Sequence, residues 1–177
     1  KKKAMKWIKY LFFLCILSYE NIYSQATKAK LDSIINETNL DTLISYVNIL
    51  SGEDSVEIDG WIDLIVSRAY DDFYNDIAAE YIKQTLSKLE LEIHDQEYSS
   101  MGRNILAIQT GIEYPEQEYI ICAHYDAVTS YCADDNASSV AAILEAARIL
   151  SKFDTKFTII YAFFDEEEIN RGGSYYY

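Results

Sequence analysis

The chain has 177 residues, 50% of them hydrophobic, and a formal net charge of −14 at pH 7. That length and apolar content are enough for one modest domain with a real core. The acidic charge argues against nucleic acid as a partner, because phosphate contacts require a basic surface.

The first 25 residues are predicted to be an export signal. Lysines precede the apolar run Tyr10–Leu17, and small or polar residues follow it. The run is shorter than the roughly 18 apolar residues that a membrane span needs. We therefore expect cleavage near Ser24 or Gln25 and a secreted or periplasmic protein with no stable membrane span. An uncleaved anchor lying in the membrane interface is the alternative.

Export would leave two cysteines, Cys122 and Cys132, in the mature chain. In an oxidising compartment they could form a disulfide. Two unpaired small residues are an equally good interpretation of this spacing.

Two amphipathic helices are predicted after the signal, over Ala26–Asn36 and Leu40–Leu50. Asn39 is suited to cap the second helix, and Ser51-Gly52 is suited to end it. The mixed, acidic stretch that follows has no clear pattern, so no element is assigned to it.

A stronger helix is predicted over Asp76–Leu89, with Asn75 as its cap. Leu91–Tyr98 then alternates apolar and polar residues, which is typical of a half-exposed edge strand. Arg103–Gln109 is predicted to be a further strand.

A strand, helix and strand complete the chain. Glu118–Ala123 and Lys156–Phe164 are predicted strands, and their apolar, β-branched and aromatic runs are typical of strands buried on both faces. A turn over Thr110–Gln117 precedes the first, and the helix Asn136–Ser151 joins the two, with Asn136 or Ser138 as its cap. This order predicts an α/β fold with a right-handed parallel crossover.

Each of these two strands ends in residues that could bind a cation. His124 and Asp126 follow the first, with Asp134-Asp135-Asn136 further on, and the glutamates Glu166–Glu168 follow the second. Ligands bind at the carboxyl ends of parallel strands, and one imidazole with several carboxylates suggests zinc. Alone, each piece has a plainer interpretation: a structural histidine, a helix cap and a solvated charged face.

The same residues suggest a division of labour. Asp126 is placed to accept the second N–H of His124, which would orient the ring and raise its basicity as a ligand. One glutamate of Glu166–Glu168 could accept a proton from water activated by the metal, while its neighbour binds the metal.

Four motifs together resemble a known family. In chain order they read A-H-Y-D-A-V, A-D-D-N-A-S, L-E-A-A-R-I-L and F-F-D-E-E-E-I-N-R-G-G-S. They resemble the di-zinc co-catalytic aminopeptidases, zinc metallopeptidases of the bacterial leucyl aminopeptidase and glutamate carboxypeptidase-like type. The likeness runs from about Leu40 to the last residue. It implies a three-layer α/β sandwich of the phosphorylase/hydrolase-like kind, with a mixed, largely parallel central sheet.

Carried over motif by motif, the resemblance assigns five roles. His124 would bind one of two zinc ions, and Asp126 would orient it. Asp135 would bridge both ions. Counting back from the closing Gly-Ser of the last motif, Glu167 would be the general base and Glu168 a ligand of the other zinc.

Several charged or unusual residues fall outside those roles. Glu166 is expected to be solvated, Asp134 to cap the following helix, and His94 to be a solvated residue of an edge strand. Ser139 and Asn170 stand where the family usually has glycine, and an asparagine tolerates left-handed backbone.

The function implied is an exported zinc-dependent exopeptidase, an aminopeptidase acting on peptides. The domains would be a signal over residues 1–25, a lead-in over 26–100 and a catalytic half over 101–177. The family takes two further ligands, an Asp and a His, from segments beyond the last residue here, so we expect a truncated domain with weak metal binding, little turnover and an open sheet edge prone to self-association. A non-catalytic peptidase-like binding module and a zinc glutaminyl cyclase-like enzyme are the alternatives.

Overall fold

A computed structural model describes residues 28–177 of the protein. The predicted export signal, over residues 1–25, lies outside this part of the chain. Residues 28–36 are helical (α1), within the predicted first helix, and belong to a different unit from residues 39–177. None of the helices described is both long and apolar enough to cross a membrane.

Four strands form the central sheet of the second unit: Glu92–Glu97 (β3), Arg103–Gln109 (β4), Tyr114–His124 (β5) and Phe157–Phe164 (β6). Their order across the sheet is β3-β4-β6-β5. The β3–β4 and β4–β6 pairings are antiparallel, and the β5–β6 pairing is parallel. The predicted α/β fold with a mixed sheet is therefore confirmed, and β5 and β6 end side by side.

Apart from short helical turns, the described part of this unit also has four helices and a small hairpin. They are α2 (Leu40–Leu50), β1 (Val56–Ile58), β2 (Trp61–Asp63), α3 (Phe73–Leu86), α4 (Ser138–Leu150) and α5 (Gly172–Tyr176). Helix α2 has its predicted bounds because its cap is local: the Asn39 side chain accepts a hydrogen bond from the backbone N–H of Thr42 at 3.0 Å.

The core of the second unit lies between helices α2, α3 and α4 and one face of the sheet. Ile105, Ala107, Tyr161 and Phe163 point to that face and are fully buried, as a period of two along each strand requires. The Tyr161 hydroxyl stays hydrogen-bonded in this core, donating to the Gln109 side chain at 2.8 Å. Each fully buried large apolar side chain contributes about 1.5–3 kcal/mol, so this face supplies most of the driving force.

The predicted start of the third helix was wrong. Helix α3 begins at Phe73, and Asp72 caps it by accepting from the Tyr74 N–H at 2.9 Å. Asn75, the predicted cap, lies inside the helix, almost fully buried, and its amide donates to both oxygens of Asp165 at 2.9 and 3.0 Å. The Asn75 side chain therefore bonds a buried carboxylate distant in sequence and does not cap the helix in the way that local capping rules predict.

The first strand of the crossover also differs from its prediction. Strand β5 begins at Tyr114, four residues early, with a register irregularity before Glu118. Tyr119 and Ile120 are 58% and 47% exposed, so the expectation of burial on both faces was wrong for β5. The reason is its place at the edge of the described sheet, whereas β6 is flanked on both sides and buried over most of its length.

Helix α4 begins at Ser138 instead of Asn136, after a wide turn over Ala133–Ala137. No side chain caps it, so the predicted capping by Asn136, Ser138 or Asp134 was wrong. The Ser138 hydroxyl instead donates to the backbone carbonyl of Asp134 at 2.8 Å. Non-helical backbone at Asp135 and Asn136 interrupts the approach to the helix, and this places the Asp135 carboxylate against His124.

Candidate metal centre

The adjacent ends of β5 and β6 bring the predicted site residues together. His124 is the last residue of β5 and pairs with Phe164, the last residue of β6. The backbone N–H of Tyr125 continues the pairing with the Phe164 carbonyl at 2.9 Å. The loop after His124 and the loop carrying the glutamates therefore start at the same edge of the sheet.

Three side chains there could share one cation. A ring nitrogen of His124 and carboxylate oxygens of Glu167 and Glu168 all lie within 4.8 Å of one another, and all three residues are partly exposed. Asp135 joins them from the second loop, with its Oδ1 3.2 Å from Nε2 of His124 and its side chain 72% exposed. Three of the four predicted ligand or base residues thus lie within reach of one cation, and the fourth, Asp135, contacts the histidine of that group.

Glu166 is not a member of that group of three, although it is the first of the three glutamates. Its backbone is left-handed, with φ of 54°, which turns the chain between the buried Asp165 and the pair Glu167 and Glu168. Glu166 therefore lies outside this group of three.

Asp126 does more than its sequence position indicated. Its side chain is 1% exposed, and its two oxygens accept the backbone N–H groups of Glu167 and Glu168, each at 3.1 Å. The His124 Nδ1 lies 3.2 Å from the Asp126 backbone carbonyl and 3.4 Å from its carboxylate. One residue therefore orients the histidine and ties the histidine loop to the glutamate loop.

A second buried carboxylate, Asp165, was missed by sequence reasoning. It is fully buried and accepts from the Asn75 amide and from the backbone N–H groups of Arg103 and Glu166. Burial raises its pKa to about 6. Its position directly after a buried strand and before the glutamates was the available signal. It anchors the start of the glutamate loop.

The acids of the site are only partly balanced by nearby positive charge. The hydrogen bond to Asp126 raises the pKa of His124. Burial, and then the charge of Asp135, raise the pKa of Glu168. Among residues 28–177, one positively charged side chain other than His124 forms an ion pair with these acids. It is the exposed Arg171, which lies 3.7 Å from Glu167. The carboxylates thus outnumber the positive charges that touch them.

Two depressions adjoin the centre. An open one of about 520 Å³ is lined by Glu167, Glu168, Asn170, Arg171 and Tyr175. A smaller one of about 210 Å³ lies beside Glu168 and has a mostly apolar wall that includes Ala69, Tyr70, Val128 and Ile169. A substrate reaching the metal centre would find both charged and apolar surface.

Two other predicted features lie outside the centre. His94 is on β3, about half exposed, with its Nε2 2.8 Å from a Glu92 oxygen, as expected for a solvated residue. Cys122 and Cys132 are both free, so the two are not joined by a disulfide.

Sequence comparison relates part of the chain to a known family. Residues 104–177 match the sequence model of Peptidase family M28. We call these residues the M28 segment, since they are similar to the M28 peptidases. It contains His124, Asp126, Asp135 and the three glutamates, so every predicted site residue lies within the M28 segment.

A curated relative matches a similar length of the chain. A protein of Pyrenophora tritici-repentis named "Probable zinc metalloprotease" is 39% identical over a match that covers 41% of this chain and 17% of that protein. The match thus spans less than a fifth of the fungal protein's length.

Solved structures of related fold cover more of the chain. A glutaminyl cyclase from Porphyromonas gingivalis has a TM-score of 0.60 at 24% identity and covers 74% of this chain and 46% of its own. LapB from Legionella pneumophila has a TM-score of 0.69 at 19% identity, covering 82% and 40%. A Zn-dependent exopeptidase from Parabacteroides distasonis has a TM-score of 0.57 at 22% identity, covering 73% and 47%. The M28 segment and the residues before it therefore share this fold, and the chain spans less than half of each of these structures.

Proposed function

We propose that the whole protein is an exported zinc-dependent exopeptidase that removes the N-terminal residue of peptides. The observation that carries the proposal is the convergence of His124, Asp135, Glu167 and Glu168 from two loops at one sheet edge. Such a set of one imidazole and three carboxylates, poorly compensated by nearby cations, is chemically suited to zinc.

Each residue has a distinct task in this proposal. His124 would hold one zinc ion and Glu168 the other, and Asp135, which contacts the histidine, would be the ligand that the two ions share. When bound, zinc lowers the pKa of water and polarises the scissile carbonyl. Glu167 accepts the proton that the attacking water loses and delivers it to the leaving amine.

Asp126 keeps this arrangement in register. By accepting from the N–H groups of Glu167 and Glu168 while contacting the Nδ1 of His124, it holds the base and both ligands relative to one another. The Nδ1–H is then directed at Asp126, which would leave Nε2 as the nitrogen that holds the metal.

The apolar depression beside Glu168 supports a peptide substrate with a hydrophobic side chain near the cleaved bond. Its volume of about 210 Å³ suits a single aliphatic side chain. Ala127 and Ile169 contribute to its wall, directly beside Asp126 and Glu168.

The fold is also that of solved glutaminyl cyclases, so cyclisation of N-terminal glutamine, with release of ammonia, is the second candidate. Incubating the whole zinc-loaded protein with a glutaminyl peptide and with an aminoacyl anilide separates the two. Ammonia without anilide hydrolysis would identify a cyclase, and free arylamine an aminopeptidase. Neither product, with tight peptide binding, would identify a binding module.

The three consecutive glutamates allow a sharp test of the roles. We expect Glu167→Gln to retain zinc and lose about 10²–10⁴-fold in kcat, because the base alone is removed. We expect Glu168→Gln to lose zinc as well as activity.

Glu166→Gln is the matched control, since it makes the same change in the same loop outside the ligand group. It should leave zinc content and kcat close to those of the wild type. Equal losses for all three variants, or a fully active Glu167→Gln, would contradict the assignment. Zinc content by atomic absorption and steady-state hydrolysis are the measurements.

A further inference from the structure

A buried arginine lies behind the metal centre. Arg68 is in an irregular segment after β2, and only 1% of it is exposed, which makes it one of the largest fully buried side chains described. A guanidinium keeps its charge in proteins, so burying it requires that its donors be satisfied.

Arg68 donates its hydrogen bonds to backbone carbonyl oxygens. Its Nε donates to Tyr125 at 2.8 Å, its Nη2 to Cys132 at 2.9 Å, and its Nη1 to Tyr131 at 3.3 Å and to Leu50. Tyr125 directly follows His124, and Cys132 lies three residues before Asp135. The guanidinium therefore holds both ends of the loop that separates these two site residues.

The backbone of the same segment strengthens the connection. The carbonyl of Arg68 accepts from the Ala127 N–H at 2.9 Å, and the carbonyl of Val66 accepts from the Tyr131 N–H at 3.0 Å. Ser67 and Ser130 form an antiparallel bridge between them. Segment 66–68 is thus paired along the loop as well as bonded to its ends.

The loop needs such support. Tyr131 and Cys132 both have left-handed backbone, with φ of 70° and 31°, which costs non-glycine residues free energy. Their carbonyls are two of the groups that the guanidinium binds. Asp135 is largely exposed and comes within 3.2 Å of His124 because the chain before it is held in this shape.

We infer that Arg68 is a positioning residue of the metal centre: by bonding the carbonyls at both ends of loop 125–132, it sets the separation of His124 and Asp135. The expected effect on zinc affinity rests on the proposed function. The effect of Arg68 on the conformation of loop 125–132 does not. Arginine suits the task because its planar fork offers several fixed donors at once, whereas lysine offers one ammonium group.

The experiment compares Arg68→Met and Arg68→Lys with Leu86→Ala in the whole protein. Leu86 is fully buried in α3, so its truncation lowers stability without touching the loop. Zinc affinity is measured by competition with a chelating dye, and stability by denaturant unfolding. We expect Arg68→Met to lose about 10–100-fold in zinc affinity, which is the usual loss for residues that orient metal ligands. Arg68→Lys should lose less zinc affinity, and Leu86→Ala should bind zinc as the wild type does.

Amide hydrogen exchange gives a second readout that does not need the metal. Without zinc, the backbone amides of Ala127 and Tyr131 should exchange faster in Arg68→Lys than in the wild type. The amides of β4 and β6 in the core should exchange at the same rate in both proteins. If Arg68→Met does not fold, Arg68→Lys is used for both the zinc-affinity and the hydrogen-exchange measurements.

Three results would overturn the inference. The first is a zinc affinity equal to that of the wild type in Arg68→Met or, if that variant does not fold, in Arg68→Lys. The others are unchanged hydrogen exchange in the loop and an equal loss of zinc affinity in Leu86→Ala. A wild-type protein that binds no zinc would instead refute the proposed function, and the exchange arm would still decide the role of Arg68.

Discussion

Two charged clusters in the molecule are built in opposite ways. The balanced cluster, Glu80, Lys83, Asp95 and Arg103, pairs two acids with two bases, and Arg103 bonds both oxygens of Asp95 at 2.6 Å. The metal-centre cluster, His124, Asp126, Asp135, Glu167 and Glu168, has four acids around one imidazole.

The pKa values reflect that difference. The hydrogen bonds from Arg103 lower the pKa of Asp95 to about 2, whereas burial and neighbouring acids raise the pKa of Glu168. A cluster whose charges cancel stabilises the fold by itself. One with unpaired acids carries some electrostatic repulsion that an external cation would relieve, so the comparison sets a structural ion network against a candidate binding site.

The largest expected effect is on metal binding through Asp126. Replacing it by Asn leaves one side-chain oxygen for two backbone N–H donors, so one of the Glu167 and Glu168 amides loses its acceptor. We expect zinc affinity to fall about 10–100-fold in Asp126→Asn.

Dye competition measures this, with Asp95→Asn as the matched change in the balanced cluster. Asp95→Asn should bind zinc normally. If both variants lost affinity alike, the two clusters would not be functionally distinct.

The next effect is on stability, through Asp95. Since its folded pKa is depressed, its contribution is present above the unfolded pKa of about 4 and is lost as pH falls toward about 2. Because the side chain is partly exposed, we expect Asp95→Asn to lose about 1 kcal/mol of unfolding free energy at pH 7. The gap between wild type and variant should narrow below pH 4 in urea unfolding series. A gap that is constant with pH would argue against the ion network.

The opposite sign is expected in the metal-centre cluster without metal. The raised pKa of Glu168 means that its protonated form stabilises the fold below about pH 4, and that this contribution is lost as pH rises. Metal-free Glu168→Gln should therefore be more stable than wild type at pH 7, by less than about 1 kcal/mol after solvent screening.

Excess zinc should reverse that order, because only the wild type gains binding energy. Thermal unfolding with chelator and with zinc provides the measurement. A destabilised metal-free variant would show that Glu168 is held by contacts within the protein instead.

The smallest effect concerns backbone strain, which is also concentrated at the metal centre. Asn170 has φ of 103°, and Ser139 is helical, although the resemblance places glycine at both. Asn170→Gly should raise the unfolding free energy by roughly 0.5 kcal/mol, and Ser139→Gly should lower it by a similar amount, because glycine favours only the first backbone. If denaturant unfolding showed that both variants change the unfolding free energy in the same direction, this account would be contradicted.

Much of this protein follows from sequence by local physics. Helix α2 and strand β4 have their predicted bounds because period, cap and apolar content agree along a short stretch of chain. The meeting of His124 with Glu167 and Glu168 was also predictable, since adjacent parallel strands end at the same sheet edge.

Tertiary structure decided the rest, wherever a residue's partner is far along the chain. Asn75 left its capping role for the buried Asp165, ninety residues away. Asp126 accepts from Glu167 and Glu168, and Arg68 spans from α2 to the histidine loop. No pattern of neighbouring residues encodes these contacts, because burying a charge requires whichever donors or acceptors folding brings within reach. Sequence alone thus determined which groups could bind a cation, and packing determined what holds them in place.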